Sequence, residues 1–391
     1  MYSTLKIKYK ACKHEVCIAL IFFAINLLQA IFTPLINDES YYWVYAQHLQ
    51  LGYFDHPPLI AFLIYLGTNI LPSEIGIRIF NLILGSLTIF LWLNLVKKET
   101  KAPINFKYAF LLLAGSLFIS FYTFMALPDT PLLFAVTLFF WAFSKYLKHT
   151  SWKNIIILSL SVALLLYAKY HGILIVLFTF LANPTLLKKR AFYAVLFLSV
   201  LWYMPHLIWL IENDFQTIKF QLIERGSKQL NINNVLSYIG EQLVLTGPIF
   251  ILLFSILYKS QNTFQRTLKI NTIGVFIFFL ISAFMQRINT HWTNVAWIPM
   301  LALCYMYLSS RHVKPYIKGL LVINVIVVIG LRVVLAFNII PIPSFNDKNL
   351  KVMAQKFKSF ANGSPLVFFD DYSEPAAYMF YEKDTCYTIN T

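Results

Sequence analysis

Two adjacent carboxylates, Asp38 and Glu39, open a stretch from Asn37 to Pro58 that contains no Lys or Arg and lies between hydrophobic segments. Acids beside a bilayer without basic partners are costly unless they bind or react with something. A partly buried Asp38, its pKa raised toward working pH by a low dielectric, suits a general base. A second reading stands beside it: Asn37 or Asp38 would cap a helix, with Glu39 favourable at the positive helix end. Asp129, in Leu-Pro-Asp-Thr-Pro-Leu, is another such carboxylate, again before a helix, with Pro131 at an early helical position.

Basic and aromatic groups accompany these acids. Asp55-His56-Pro57-Pro58 offers a cation or donor in the same stretch, and Lys169 with His171 offers another from a different helix pair. Such pairs suit a phosphate, where charge-assisted hydrogen bonds are strongest. The alternatives are a turn residue bonded to Asp55 for His56 and snorkelling to lipid headgroups for Lys169, Arg78 and Arg287. Tyr41, Tyr42, Trp43, Tyr45, Tyr53 and Phe54, and in another loop His291-Trp292, could stack on a sugar or form an interfacial belt. No Gly-rich phosphate loop, G-x-S-x-G or H-E-x-x-H occurs, so nucleotide hydrolysis, serine hydrolysis and zinc proteolysis lose their usual marks.

The elements that must hold these groups are membrane spans. Mean hydropathy is +0.65. Hydrophobic residues make up 59% and charged residues only 13%, against roughly 25% charged in a soluble domain. The net charge of +15 is dispersed in short clusters between apolar runs, which argues against nucleic acid. The four cysteines, Cys12, Cys17, Cys304 and Cys386, have neither metal-type spacing nor a disulfide pattern. The first apolar segment lacks a small-residue cleavage site and is taken as a retained helix.

Apolar runs near 15–33, 76–96, 106–123, 131–147, 154–168, 170–183, 191–211, 236–258, 270–286, 293–309 and 316–338 predict about eleven transmembrane helices. The split at Lys169-Tyr170-His171-Gly172 keeps the Lys and Arg clusters on every second loop. That alternation puts the N-terminus inside and the C-terminus outside. The loop at 34–75, carrying the first acids, then lies outside and suits two interfacial helices joined by a tight turn. The tail beyond residue 338 predicts a strand over Pro365–Asp370 and a helix over Ser373–Tyr381, a βα unit too small to fold alone and so docked on the membrane part. The fold class is all-α and polytopic, with a transmembrane domain at 1–338 and a short α/β segment at 339–391.

Asn37-Asp38-Glu39-Ser40-Tyr41-Tyr42-Trp43, followed by Tyr53-Phe54-Asp55-His56-Pro57-Pro58-Leu59, resembles the first outer loop of the polytopic GT-C glycosyltransferases. Nearer still is the bacterial branch with the lipid A aminoarabinose transferases and relatives of the dolichyl-phosphate-mannose protein mannosyltransferases. The likeness continues at Asp129-Thr130-Pro131-Leu132, Ala168-Lys169-Tyr170-His171-Gly172, Gly240-Glu241-Gln242 with Gly247-Pro248, and Asn289-Thr290-His291-Trp292. Two departures stand out: the tail is much shorter than in most members, and His56 stands where the aminoarabinose transferases tend to have Lys.

The resemblance implies an inverting transfer of a sugar from a polyprenyl-phosphate carrier to an extracytoplasmic acceptor, lipid A, another glycan or lipid, or a protein, in a bacterial inner membrane. Asp38 would deprotonate the acceptor, and Glu39 and Asp129 would position it. Those three would also hold a divalent ion in relatives that use one; no cofactor is otherwise required. Lys169, His171 and His56 would stabilise the leaving phosphate, and Tyr41, Tyr42, Tyr53, Asp55, His291 and Trp292 would line the substrate. The rival classes are a lipid or sugar transporter or flippase, which predicts midplane ionisable residues and related halves, and an inactive scaffold.

Overall fold

The computed structural model describes residues 2–220, 230–247, 252, 260, 262–310, 313–340 and 349–389. Four helices make the first part: α1 (Tyr2–Phe32), α2 (Asn37–Gln47), α3 (Leu59–Ile70) and α4 (Glu74–Thr100). There follow α5 (Phe106–Gly115), α6 (Leu117–Tyr122), α7 (Asp129–Lys148), α8 (Trp152–Ala168), α9 (Gly172–Ala182) and α10 (Arg190–Glu212). The remainder of the bundle is α11 (Gln216–Lys219), α12 (Ile232–Thr246), α13 (Thr263–Ser282), a 3-10 turn at Thr290–Ala296, α14 (Trp297–Ser310) and α15 (Pro315–Ala336). The tail folds as α16 (Leu350–Ala361), β1 (Leu366–Phe369), α17 (Ser373–Glu382) and β2 (Cys386–Ile389).

This is a polytopic membrane protein. Among the described residues six helices are long and apolar enough to cross a bilayer, at Lys13–Phe32, Glu74–Thr100, Asp129–Lys148, Arg190–Glu212, Thr263–Ser282 and Pro315–Ala336. Their outer faces carry exposed Leu, Ile and Phe side chains such as Leu28, Phe197 and Ile326, as lipid-facing helices require. Polar residues sit at the ends. Ser73, Asn105, Ser116, Ser151 and Asn262 each accept a backbone N–H at the start of a helix, a contribution of typically about 1 kcal/mol.

The separation at residues 169–171 is present, between α8 and α9. The run at 106–123 is not one helix: the chain breaks between Gly115 and Leu117, and Asn324 of α15 donates to the Gly115 carbonyl at 2.5 Å. A break inside an apolar layer persists when a neighbouring helix satisfies the freed carbonyl in this way. Likewise the run at 293–309 begins as the 3-10 turn. Most of the expected segment beyond residue 247, as far as 258, lies outside the described residues.

The first loop folds as two short helices, and glycine lets the second pack. A Cβ on Gly76 would stand 1.7 Å from the Leu71 carbonyl oxygen, and one on Gly67 would stand 2.0 Å from the Gly76 carbonyl oxygen. The backbones of α3 and α4 therefore touch directly. Gly76→Ala is expected to cost about 1–3 kcal/mol by overpacking, read as a lower melting temperature in detergent; an unchanged melt would show that the turn yields freely.

The tail holds more structure than a βα unit. β1 and β2 pair in parallel, Leu366 opposite Cys386 and Phe369 opposite Ile389, with α17 as the crossover. A four-residue strand at the chain end carries too little alternation to be read in advance. The predicted docking is observed: Phe380 of α17 joins the buried cluster of Tyr42, Trp43, Ile60, Ile77 and Phe124.

Candidate active site

Glu39 is the third residue of α2, and its carboxylate accepts the Ile36 backbone N–H at 3.2 Å, closing the start of that helix. Its other contacts reach far along the chain. Arg78 of α4 donates Nε to Oε1 at 2.8 Å and Nη2 to Oε2 at 2.5 Å, and the Ala126 backbone N–H donates to Oε1 at 2.8 Å. Arg78 also donates to the carbonyls of Ala30, Thr33 and Pro34 at 2.8, 2.6 and 2.9 Å, satisfying the C-terminus of α1. Both side chains have 0% exposure. Arg78 therefore does not snorkel, and Glu39 joins α1, α2, α4 and the turn before α7.

With Glu39 occupied by the helix start, Asp38 is left free of capping. Ile36 is the cap residue, and among the described residues the hydrogen bond to Asp38 comes from Tyr372 of the tail, its hydroxyl 3.2 Å from Oδ1. Asp38 is partly exposed. Burial first pushes its carboxyl above the ordinary 3.8, against the Tyr372 hydrogen bond and the His56 charge, which pull it down. Asp129 and Asp55 also bear on it, so the acids of the first loop and of α7 share one neighbourhood.

Asp129, the first residue of α7, makes no cap hydrogen bond. It is 3% exposed and accepts Lys169 Nζ at 2.8 and 3.1 Å and Asn294 Nδ2 at 2.5 Å. Lys169 is buried in that pair rather than turned to headgroups. His171 follows in the same turn, its ring centroid 5.1 Å from that of Trp292 and 5.4 Å from that of Phe279. Burial and the Lys169 charge hold this imidazole well below its ordinary 6.5. Its Nδ1 has no hydrogen-bond partner among the described residues. His291 lies beside Tyr122, with ring centroids 6.1 Å apart, and its charge bears on Asp129.

The first-loop aromatics mostly build the loop. His56 Nδ1 is 2.9 Å from Asp55 Oδ1, and its Nε2 is hydrogen-bonded to the Tyr42 hydroxyl at 3.3 Å. Tyr45 donates to Asp55 at 2.8 Å and is hydrogen-bonded to Tyr41. For Asp55, burial alone would raise the carboxyl, but His56 and Tyr45 bring it below its ordinary value. Tyr53 stacks on Tyr45 at 4.1 Å and donates to the Tyr45 and His48 carbonyls at 3.0 and 3.3 Å, stopping α2. Tyr42 and Tyr53 are buried, whereas Tyr41 is half-buried with its ring against Tyr372. Gly52 is required here, because its Cβ would stand 2.3 Å from the Trp209 ring.

Several residues of this neighbourhood escaped the sequence reading. Asn294 falls inside an expected apolar span, where an amide is costly unless satisfied; that cost was the available signal. His206 of α10 is fully buried and holds the loop through Leu51 O at 2.5 Å and the Tyr170 hydroxyl at 2.9 Å. Glu39 and Asp129 have their oxygens on cations and amides, and among the described residues no group of three or more His, Cys, Asp or Glu side chains is placed to hold an ion.

Helical bundle, acid-bearing first loop and small α/β tail together define the GT-C fold. The family model described as dolichyl-phosphate-mannose-protein mannosyltransferase matches residues 55–209, a stretch holding His56, Asp129, Lys169 and His171. A curated relative, the lipid A galacturonosyltransferase RgtD of Rhizobium johnstonii, is 22% identical over 298 residues, covering 71% of this chain. The aligned part spans 62% of that relative's length. Among solved structures, ArnT from Cupriavidus metallidurans in the apo state superposes with a TM-score of 0.70 at 12% identity, covering 98% of this chain and 86% of that one. The same protein bound to undecaprenyl phosphate gives 0.68 at 11% identity over 97% and 86%. All of these are GT-C glycosyltransferases, so the resemblance read from the motifs holds.

Proposed function

We propose that this chain is an inverting glycosyltransferase of a bacterial inner membrane, moving a sugar from a polyprenyl-phosphate carrier to a hydroxyl on an extracytoplasmic lipid or glycan. The observation that carries it is Asp38, a partly exposed carboxylate raised above its ordinary value and, among the described residues, outside the buried ion pairs of the site. Kinship with a lipid A galacturonosyltransferase and with a protein seen bound to undecaprenyl phosphate supports both the carrier and a lipid acceptor.

In this reading the acceptor O–H gives its proton to Asp38 as its oxygen forms the new bond to the anomeric carbon. The bond from that carbon to the phosphate oxygen breaks on the opposite face, and the electron pair leaves with polyprenyl phosphate. Positioning and electrostatics supply most of the catalysis. Glu39 positions Asp38 by holding the start of α2, and Asp129 fixes Lys169 beside His171. Neutral His171 offers its unpartnered ring nitrogen to the phosphate, with His56 at the loop. Tyr41, Asp55, His291 and Trp292 line the substrate, while Tyr42 and Tyr53 shape the loop behind them. No step is assigned to a metal. The basic clusters put the N-terminus in the cytoplasm and the site outside.

The test is mass spectrometry of envelope lipids and glycans from cells with the gene intact, with it deleted and with Asp38→Asn. One glycan is expected to lose a single sugar in both altered strains while its polyprenyl-phosphate donor accumulates. An unchanged glycan profile, or a deletion phenotype that Asp38→Asn does not share, would favour a transporter.

A further inference from the structure

The tail after residue 348 touches the helix that carries Asp38 at every level. Tyr372 donates to Asp38 Oδ1 at 3.2 Å, and its ring meets Tyr41 edge-on at 4.8 Å. One residue on, the Ser373 carbonyl accepts the Ser40 hydroxyl at 3.4 Å. Further along α17, Phe380 packs edge-on against Trp43 at 5.2 Å, and the Tyr381 hydroxyl donates to Glu74 at 2.9 Å. The Lys383 ammonium stands 5.5 Å from the Trp43 ring and 4.6 Å from that of Phe380. These contacts are too specific to be a loose appendage resting on the bundle.

Tyr372 itself is not a core residue. It is 53% exposed, yet its hydroxyl is spent on the Asp38 carboxylate. The bond goes to Oδ1, and among the described residues no hydrogen bond is made to Oδ2. An amphipathic ring at an open edge, paired with a second tyrosine, is a surface on which a sugar ring packs, apolar face to apolar face.

We propose, resting on the glycosyl-transfer reading above, that this C-terminal unit completes the active site: Tyr372 is a positioning residue that sets Asp38 for the acceptor hydroxyl, and Tyr372 with Tyr41 forms the aromatic lip on which a hydroxylated acceptor ring docks. The hydrogen bond to Oδ1 fixes the carboxylate plane and leaves Oδ2 to take the proton. The donor side, around Lys169 and His171, lies on other elements, at the turn between α8 and α9.

The experiment uses the full chain in lipid nanodiscs, with donor and acceptor supplied as the lipid extract of the deletion strain, and undecaprenyl phosphate as the binding probe. Tyr372→Phe, which keeps the ring, is expected to lower kcat about ten-fold at unchanged acceptor KM. Tyr372→Ala, which removes the ring as well, is expected to raise acceptor KM too. In both variants, undecaprenyl phosphate affinity and melting temperature should stay at wild-type values. Wild-type turnover in both variants beside an inactive Asp38→Asn overturns the lip and leaves the transfer reading standing; wild-type turnover in Asp38→Asn overturns the transfer reading itself. A loss of turnover that tracks a fall in melting temperature or in probe affinity shows a structural tail and also overturns the proposal.

Discussion

Asp38→Asn is expected to lower the transfer rate by about 10²–10⁴-fold, the usual contribution of a general base, while protein yield and undecaprenyl phosphate binding stay unchanged. Asparagine keeps the size of the side chain and an oxygen for the Tyr372 hydroxyl, so the contact with the tail survives. What it removes is the ability to take a proton. Because Asp38 is partly exposed and belongs to no buried ion pair among the described residues, the substitution leaves no orphaned charge among them. The same carboxyl predicts a pH profile. It must be ionised to act, and burial raises it above 3.8, so turnover should climb with pH through a limb above that value. Single-turnover measurements on purified protein check both points, and wild-type turnover in the asparagine variant would sink the base assignment.

Glu39→Gln tests a different kind of residue and should act on the fold. The Arg78 guanidinium beneath it has 0% exposure and two of its bonds on that carboxylate. Removing one charge of a buried pair leaves the other uncompensated, at a cost of about 3–5 kcal/mol. Glu39→Gln and Arg78→Met should therefore each lower the melting temperature in detergent, and the double variant should lose much less than their sum. Activity should fall with stability, since α2 carries both Glu39 and Asp38. The discriminating outcome is Glu39→Gln with wild-type melting and no turnover, which would return Glu39 to direct contact with substrate or an ion. Simple additivity of the two singles would mean that the pair is not coupled.

Much of this architecture is legible along the chain. Asn37 to Pro58 stands out because it holds acids without Lys or Arg, and a carboxylate at a bilayer is conspicuous whatever surrounds it. The Lys169 to Gly172 turn was readable from four residues, because polar groups interrupt an apolar run there. The break at Gly115 was not, since a lone Gly-Ser pair inside an apolar run is also carried by unbroken spans and the stabilising amide arrives from Asn324, 209 positions away. For the same reason the sequence could set Asp38 apart as the base but could not show what holds Glu39: its partner Arg78 lies on another helix.

By itself, then, the sequence determined the membrane-spanning character, the short helices of the first loop, and which acids, histidines and lysines were candidates. Those follow from hydropathy and residue type over consecutive positions. Only the tertiary structure decided the partners: Arg78 for Glu39 at a separation of 39 residues, Lys169 for Asp129 at 40, and Tyr372 for Asp38 at 334. An ion pair or hydrogen bond acts over a few ångströms between side chains that packing brings together, and hydropathy along one helix carries no record of which other helix it will meet.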